Sequence, residues 1–174
     1  MELRDATIDD AAEITAIYNH YVANTAISFE EEPVSVPAMR QRIADQIDSG
    51  LPWLVVTVDG AVAGYAYASK WRVRPAYRFS VESSVYLGTN HARQGLGTAL
   101  YTQLIERLRA SGIHLVIGGI ALPNQASIAL HEKAGFRKVA HFSEVGCKFD
   151  RWIDVGYWQL TLHAEPDQCK AVTA

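Results

Sequence analysis

Val81-Glu82-Ser83-Ser84-Val85-Tyr86-Leu87, followed after a short polar loop by Arg93-Gln94-Gly95-Leu96-Gly97-Thr98, is the stretch that decides the fold. It reads as a strand, a glycine-rich turn and the N-terminus of a long amphipathic helix. The first four N–H groups of a helix have no partner within it, and the helix dipole adds partial positive charge there. Glycines at 95 and 97 let phosphate oxygens approach that bare backbone closely. The stretch is a candidate phosphate cradle, with an acid, Glu82, on the strand that leads into it. Spacing excludes two designs with the same outline. A P-loop needs Gly-Lys-Ser/Thr at the helix start, and Gly97 is followed by Thr98 and Ala99. A dinucleotide fingerprint needs a third glycine where Leu100 stands. By itself a Gly-x-Gly pair also fits an ordinary tight turn before a helix.

Working outward, residues 96–111 carry Leu96, Leu100, Leu104 and Leu108 on one stripe, and Gly112 stops the helix. The continuous apolar run 115–120 predicts a strand covered on both faces. Strand 81–87, this helix and strand 115–120 make a β-α-β unit with parallel strands and a right-handed crossover. Within 81–87, Val81, Val85 and Leu87 share one face, and Glu82, Ser84 and Tyr86 the other. Glu82 reads either as an edge-strand carboxylate in water or, on a central strand, as a partly desolvated base with a raised pKa.

Before this unit, residues 3–6 predict a first strand, and Thr7 with Asp10 caps a helix carrying Ala11, Ile14, Ile17, Tyr18 and Tyr21 on one face. Residues 35–49 form a second amphipathic helix with Met39, Ile43 and Ile47 on its stripe. Strands 54–58 and 61–68 are joined by Asp59-Gly60, a two-residue hairpin signal. After the unit come a helix over 124–134 closed by Gly135 and an antiparallel pair, 139–145 and 152–162. The last strand is apolar on both faces, as core packing or a subunit interface requires. Seven strands and about four helices result, a single α/β (α+β) domain with a mixed, mostly antiparallel sheet that is parallel only at its centre. It spans residues 1–163, followed by a polar tail over 164–174.

A second segment, Asn124-Gln125-Ala126-Ser127-Ile128-Ala129-Leu130-His131-Glu132-Lys133-Ala134-Gly135-Phe136, joins the cradle to one family. Together they resemble the acyl-CoA-dependent N-acetyltransferases of the GNAT superfamily, and within it the phosphinothricin and methionine sulfoximine acetyltransferases. The resemblance runs over residues 2–162 and includes Ile17-Tyr18-Asn19, Val81-Glu82-Ser83 and Asp154-Val155-Gly156-Tyr157-Trp158-Gln159-Leu160. It implies acetyl-CoA as co-substrate and a small amino-acid-like acceptor. Catalytic roles fall on Glu82 as base and His131 as acid for the departing thiolate, with a helix-surface histidine as the alternative for His131. Backbone groups at Val85, Tyr86 and Leu87 and residues Arg93, Gln94, Gly95, Leu96, Gly97 and Thr98 would hold the coenzyme. Asn124 would bind the pantetheine, Ser127 would lie beside it, and Lys133 would either meet a phosphate or be solvated. The family's Gln or Arg three residues before the first glycine is Ala92 here, which weakens coenzyme binding unless Arg93 substitutes. The polar segment 24–33 is a solvated connector or, as the resemblance implies, an acceptor wall contributing Phe29 and Glu30. The segment 69–78 holds four cations and two large aromatics, among them Arg72 and Arg74. It is a solvated face or a clamp for an acceptor carboxylate.

Composition narrows the remaining classes. The 174 residues carry a net charge of −3 without a long basic run, which argues against nucleic-acid and membrane-surface partners. No apolar run approaches a membrane span, and no signal-peptide pattern opens the chain. Cys147 and Cys169 fall outside metal or redox spacing, and the six histidines show no ligand pairing, so no metal is expected. The expectation is a cytoplasmic enzyme, with a homodimer implied by the resemblance. The rivals are acetylation of another small amine, a polyamine or a peptide N-terminus, and a non-catalytic acyl-CoA sensor.

Overall fold

The computed structural model describes residues 1–91 and 94–162. Among them, seven strands form one sheet: β1 (Glu2–Asp5), β2 (Trp53–Val58), β3 (Ala61–Lys70), β4 (Ser80–Leu87), β5 (Leu115–Ala121), β6 (Arg137–Lys148) and β7 (Arg151–Thr161). Their spatial order is β1-β2-β3-β4-β5-β7-β6, which puts β4 in the middle. Every neighbouring pair is antiparallel except β4 and β5. The helices are α1 (Ala11–Asn24), α2 (Val36–Asp48), α3 (Leu96–Ala110) and α4 (Gln125–Lys133). Among the described residues, no helix is long and apolar enough to cross a membrane. Residues 92–93 and the tail from 163 lie outside the described residues.

Local chemistry explains most boundaries. Asp59 and Gly60 both adopt positive φ (51° and 85°), the geometry of a hairpin turn whose twist matches its strands. The Asp10 carboxylate accepts from the Thr7 N–H at 2.7 Å and from the Arg4 guanidinium at 2.7 and 2.8 Å, which fixes the entry to α1. Ser35 caps α2 by accepting from the Ala38 N–H at 3.3 Å. The α2 stripe is buried at Met39 and Ile43, but Ile47 is 48% exposed, because the stripe reaches solvent one residue before the helix ends.

Two apolar layers cover the sheet. Leu96, Leu100, Leu104 and Leu108 of α3 are each 3% exposed or less and pack with Leu54, Ala66, Val81 and Val116. On the other face, Ile14, Tyr18 and Val22 of α1 and Met39 and Ile43 of α2 pack on Trp53, Val55 and Tyr65. Strand β4 serves both, with Val81, Val85 and Leu87 in the α3 layer and Tyr86 in the α1 layer. Glu82 therefore faces the α1 side. Edge strand β6 is longer than residues 139–145 and mostly exposed.

Leu104 is 1% exposed within the α3 layer, so Leu104→Ala should destabilise by about 2–5 kcal/mol, read from urea denaturation midpoints.

Candidate active site

The sheet opens at its centre. Strands β4 and β5 pair only at Ser80 with Leu115, Val81 with Val116 and Glu82 with Ile117. Beyond Glu82, β4 stays paired with β3 in continuous register to Leu87 opposite Gly64, while β5 follows β7 to Ala121 opposite Val155. The two central strands thus enclose a wedge lined by Ser83, Ser84, Val85, Tyr86, Gly119, Ile120, Asn124, Ser127 and His131. Alternate residues of a strand point their N–H and C=O to opposite neighbours, so β4 keeps free backbone groups along the wedge. The divergence of β5, without a register shift in β4, frees Val85 and Leu87 on that side, whereas the Gly88 N–H bonded to the Ala63 carbonyl sets the even positions, Tyr86 among them, toward β3. The Leu87 carbonyl already accepts from the Tyr21 hydroxyl at 2.7 Å.

Glu82 stands where the wedge begins. It is half-buried and makes no hydrogen bond or ion pair among the described residues. Burial pushes its carboxyl above the usual range, and the Arg72 charge opposes that in part. A Cβ on Gly119 would lie 3.0 Å from the Glu82 Oε1 and 3.2 Å from the Tyr157 ring. Glycine there keeps space beside the carboxylate.

On the opposite face, His131 is 3% exposed, which removes the helix-surface reading. Its Nδ1 lies 2.8 Å from the Ser127 carbonyl, which only accepts, so Nδ1 carries the hydrogen. Its Nε2 then accepts from the Tyr101 hydroxyl at 2.7 Å, and Tyr101 meets the Ser83 Oγ at 2.9 Å. Burial lowers the His131 pKa, so the ring is neutral near pH 7. The chain Ser83–Tyr101–His131–Ser127 is a connected polar path in an otherwise apolar layer. Gly118 makes room for it, since a Cβ there would fall 2.3 Å from the His131 Nε2.

At the wide end of the wedge, α3 begins with Gly95 at φ +81°, a conformation L side chains rarely adopt. Gln94 and Gly95 are exposed, whereas Leu96 and Gly97 are buried and Thr98 is half-buried. Arg93 lies outside the described residues. Asn124 caps α4, its Oδ1 accepting from the Ser127 N–H at 3.1 Å, so that oxygen is committed within the protein. Lys133 is exposed in the last turn of α4 without an ion pair among the described residues.

A family model spans the splayed parallel pair and the glycine-led helix N-terminus. The model described as an acetyltransferase (GNAT) domain covers residues 3–156. The chain belongs to the GNAT acetyltransferase family. The phosphinothricin N-acetyltransferase of Streptomyces viridochromogenes is 39% identical over 99% of this chain and 95% of its own. The L-methionine sulfoximine/L-methionine sulfone acetyltransferase of Salmonella typhimurium is 40% identical over 97% of this chain and 100% of its own. A Salmonella typhimurium acetyltransferase solved with its cofactor acetyl-CoA superposes with a TM-score of 0.92 at 40% identity, covering 96% of this chain and 98% of that one. A phosphinothricin acetyltransferase from Sinorhizobium meliloti, solved with acetyl-CoA, gives 0.89 at 39% identity over 92% of this chain and 87% of that one.

In this acetyltransferase the expected acceptor residues are distributed unevenly. The Arg72 guanidinium stacks 4.4 Å from the Trp71 ring, and Trp71 meets Tyr157 edge-on at 5.7 Å, so Arg72 belongs to the Glu82 neighbourhood. Arg74 is exposed before a short 3-10 turn and makes no contact with Glu82. Glu30 is paired with Arg42 at 2.8 Å and accepts from the Tyr18 hydroxyl at 3.1 Å. Phe29 lies against Gly146 of β6. A cavity of about 300 Å³ sits on the same face of the sheet as Glu82, between α2 and the aromatic rings of Trp53, Tyr65 and Tyr67. Sequence reading missed Ser83, Tyr101, Gly118, Gly119 and Tyr157. The available signals were a tyrosine beside the α3 leucine stripe and a Gly-Gly pair inside a buried strand.

Because His131 is buried in its neutral form, its folded pKa lies below the unfolded value near 6.5. The unfolded chain then binds more protons in that window, so stability is present above it and falls as pH drops through it. Comparing denaturation midpoints of the wild type and His131→Gln from pH 7.5 to 5 should show that the histidine's share of this acid limb is lost in the variant.

Proposed function

We propose that this protein transfers the acetyl group of acetyl-CoA to the α-amino group of a small amino-acid analogue of the methionine sulfoximine or phosphinothricin type. The observation that carries the reading is the wedge with an unpartnered, half-buried Glu82 at its apex. Its open backbone edge and helix N-terminus suit a ligand with amides at one end and phosphates at the other. The substrate named for the relatives supports the acceptor class, as does Arg72 beside Glu82, a planar cation suited to a carboxylate. The same charge disfavours a polyamine.

Acetyl-CoA supplies an activated thioester carbonyl and a thiolate leaving group. Glu82 takes a proton from the acceptor ammonium, directly or through one water, and its raised pKa brings it closer to that task. The free N–H of β4 at Val85 stabilises negative charge on the carbonyl oxygen. The departing thiolate leaves as the thiol by taking up, through water, the proton that Glu82 removed, and on the other face neutral His131, accepting at Nε2, holds the Tyr101 hydroxyl in place. Gln94 to Thr98 hold the diphosphate through backbone N–H groups, joined by Arg93, with Asn124, Ser127 and Lys133 along the remainder. Arg74, Phe29 and Glu30 complete the acceptor side around Arg72. We read the enzyme as a cytoplasmic homodimer, a state favoured by the exposed Val139, Phe142, Val145, Phe149 and Trp152 of the β6–β7 edge.

The test is coenzyme A release with amino acids, their sulfoximine and phosphinate analogues, peptides and polyamines as acceptors. Preference for a polyamine, or no calorimetric binding of acetyl-CoA, overturns the reading. Glu82→Gln should lower kcat by about 10²-fold or more and leave acetyl-CoA affinity unchanged. The acidic limb of kcat/KM should lie above the ordinary glutamate range and vanish in that variant. Arg72→Ala should raise acceptor KM roughly tenfold, the scale of one charge-assisted hydrogen bond.

A further inference from the structure

Residues 25–35 join α1 to α2 without regular structure, yet they form one side of the site, with Ile27 lining the wedge beside Ser84, Tyr86 and His131. Backbone polar groups in such a segment need partners from elsewhere. At one end, Asn19 takes both: its Nδ2 donates to the Val34 carbonyl and its Oδ1 accepts from the Val34 N–H, each at 2.8 Å. In the middle, the partner comes from the far end of the sheet. The Lys148 Nζ donates to the Ser28 carbonyl at 2.7 Å and to the Val22 carbonyl at 2.7 Å.

Lys148 is unlike the other lysines among the described residues. It is 2% exposed and has no carboxylate within ion-pair distance among the described residues. A buried ammonium is costly unless its donors are satisfied, and here main-chain oxygens do most of that. Val22 lies in the last turn of α1, where the helix dipole favours a cation. Burial lowers the Lys148 pKa, and the charges of Glu31 and Glu30 act against that. The same hairpin also holds the neighbouring residue. A Cβ on Gly146 would come within 2.3 Å of the Phe29 ring, so the ring occupies the space that glycine leaves. Next to both contacts, the Ser28 Oγ meets the Tyr18 hydroxyl at 2.9 Å, and Tyr18 donates to Glu30. The β6–β7 tip therefore grips residues 28 and 29 by a carbonyl and a ring.

We propose that Lys148 is a positioning residue for acceptor binding: by tying the Ser28 carbonyl to the end of α1, its ammonium fixes residues 26–30 as the wall of the acceptor site. The proposal rests on the acetyl-transfer reading above. It accounts for a buried cation at a hairpin tip, which packing alone would fill with an apolar side chain.

Two variants test it from different sides. Lys148→Met keeps the stem and removes the donors, and Gly146→Ala pushes on Phe29 while leaving Lys148 in place. For each, three quantities are compared with the wild type: amide hydrogen exchange over residues 24–30, acetyl-CoA affinity by calorimetry, and KM and kcat for methionine sulfoximine. In Lys148→Met, exchange in that segment should be faster by about tenfold or more, and acceptor KM should rise on the order of tenfold, with acetyl-CoA affinity within about twofold. A merely structural lysine would lower the melting temperature without separating acceptor KM from coenzyme affinity. Unchanged exchange over 24–30, or equal losses for both substrates, overturns the proposal. If Lys148→Met does not fold, Gly146→Ala decides by the same readouts. A wild-type enzyme inactive on every amino-acid analogue would refute the acceptor assignment instead, and the exchange measurement would still decide whether the clamp exists.

Discussion

The departure of β5 from β4 after three residue pairs is the constraint on which the rest of the site depends. A central strand normally satisfies its backbone on both sides, and leaving one side unpaired costs hydrogen bonds that must be recovered from water or a ligand. On β4 the cost falls on residues 83–87 alone, because β3 holds the other edge of that strand in register as far as Leu87. Strand β5 bears the matching cost over residues 118–121, while β7 pairs with its other edge along its whole length. The sheet is therefore continuous in its two halves and open only along a single seam. Glu82, the last β4 residue paired across it, is placed at the apex by that geometry alone.

Electrostatics at the seam has one dominant cause. Burial raises the Glu82 pKa and lowers that of His131, so each group is biased toward its neutral form. They do not cancel as an ion pair, because strand alternation sends Glu82 to the α1 face while His131 packs with Tyr101 and Ser83 on the α3 face. The two groups are thereby held apart on opposite faces of the sheet.

What could be read beforehand was whatever depends on local period. The leucines of α3 repeat at four-residue spacing, Asp59-Gly60 has the turn chemistry its hairpin needs, and Glu82 alternates away from Val81 and Val85. Those features place the strand, the glycine-led helix start and Glu82. Pairings between distant segments carried no such signal. Tyr101 looks like a flank of an apolar stripe until the fold brings Ser83 and His131 to its hydroxyl. Nothing in the segment 24–33 indicates that Glu30 pairs with Arg42 or that the Phe29 ring fills the space beside Gly146. Lys148 reads as a turn lysine, and nothing nearby in the chain indicates that its partners are carbonyls of α1 and the loop after it. Gly118 and Gly119 reveal their roles only when a side chain is imagined against His131 and Glu82.

Those adjacent glycines have a spatial consequence. Consecutive residues in a strand face opposite ways, so a bare pair thins the wall from both directions at one point. At that point the sheet resembles a partition with a window, with the carboxylate at one sill and the imidazole at the other. Reactants arriving from different rooms would meet in the opening, and neither would have to leave before the other entered.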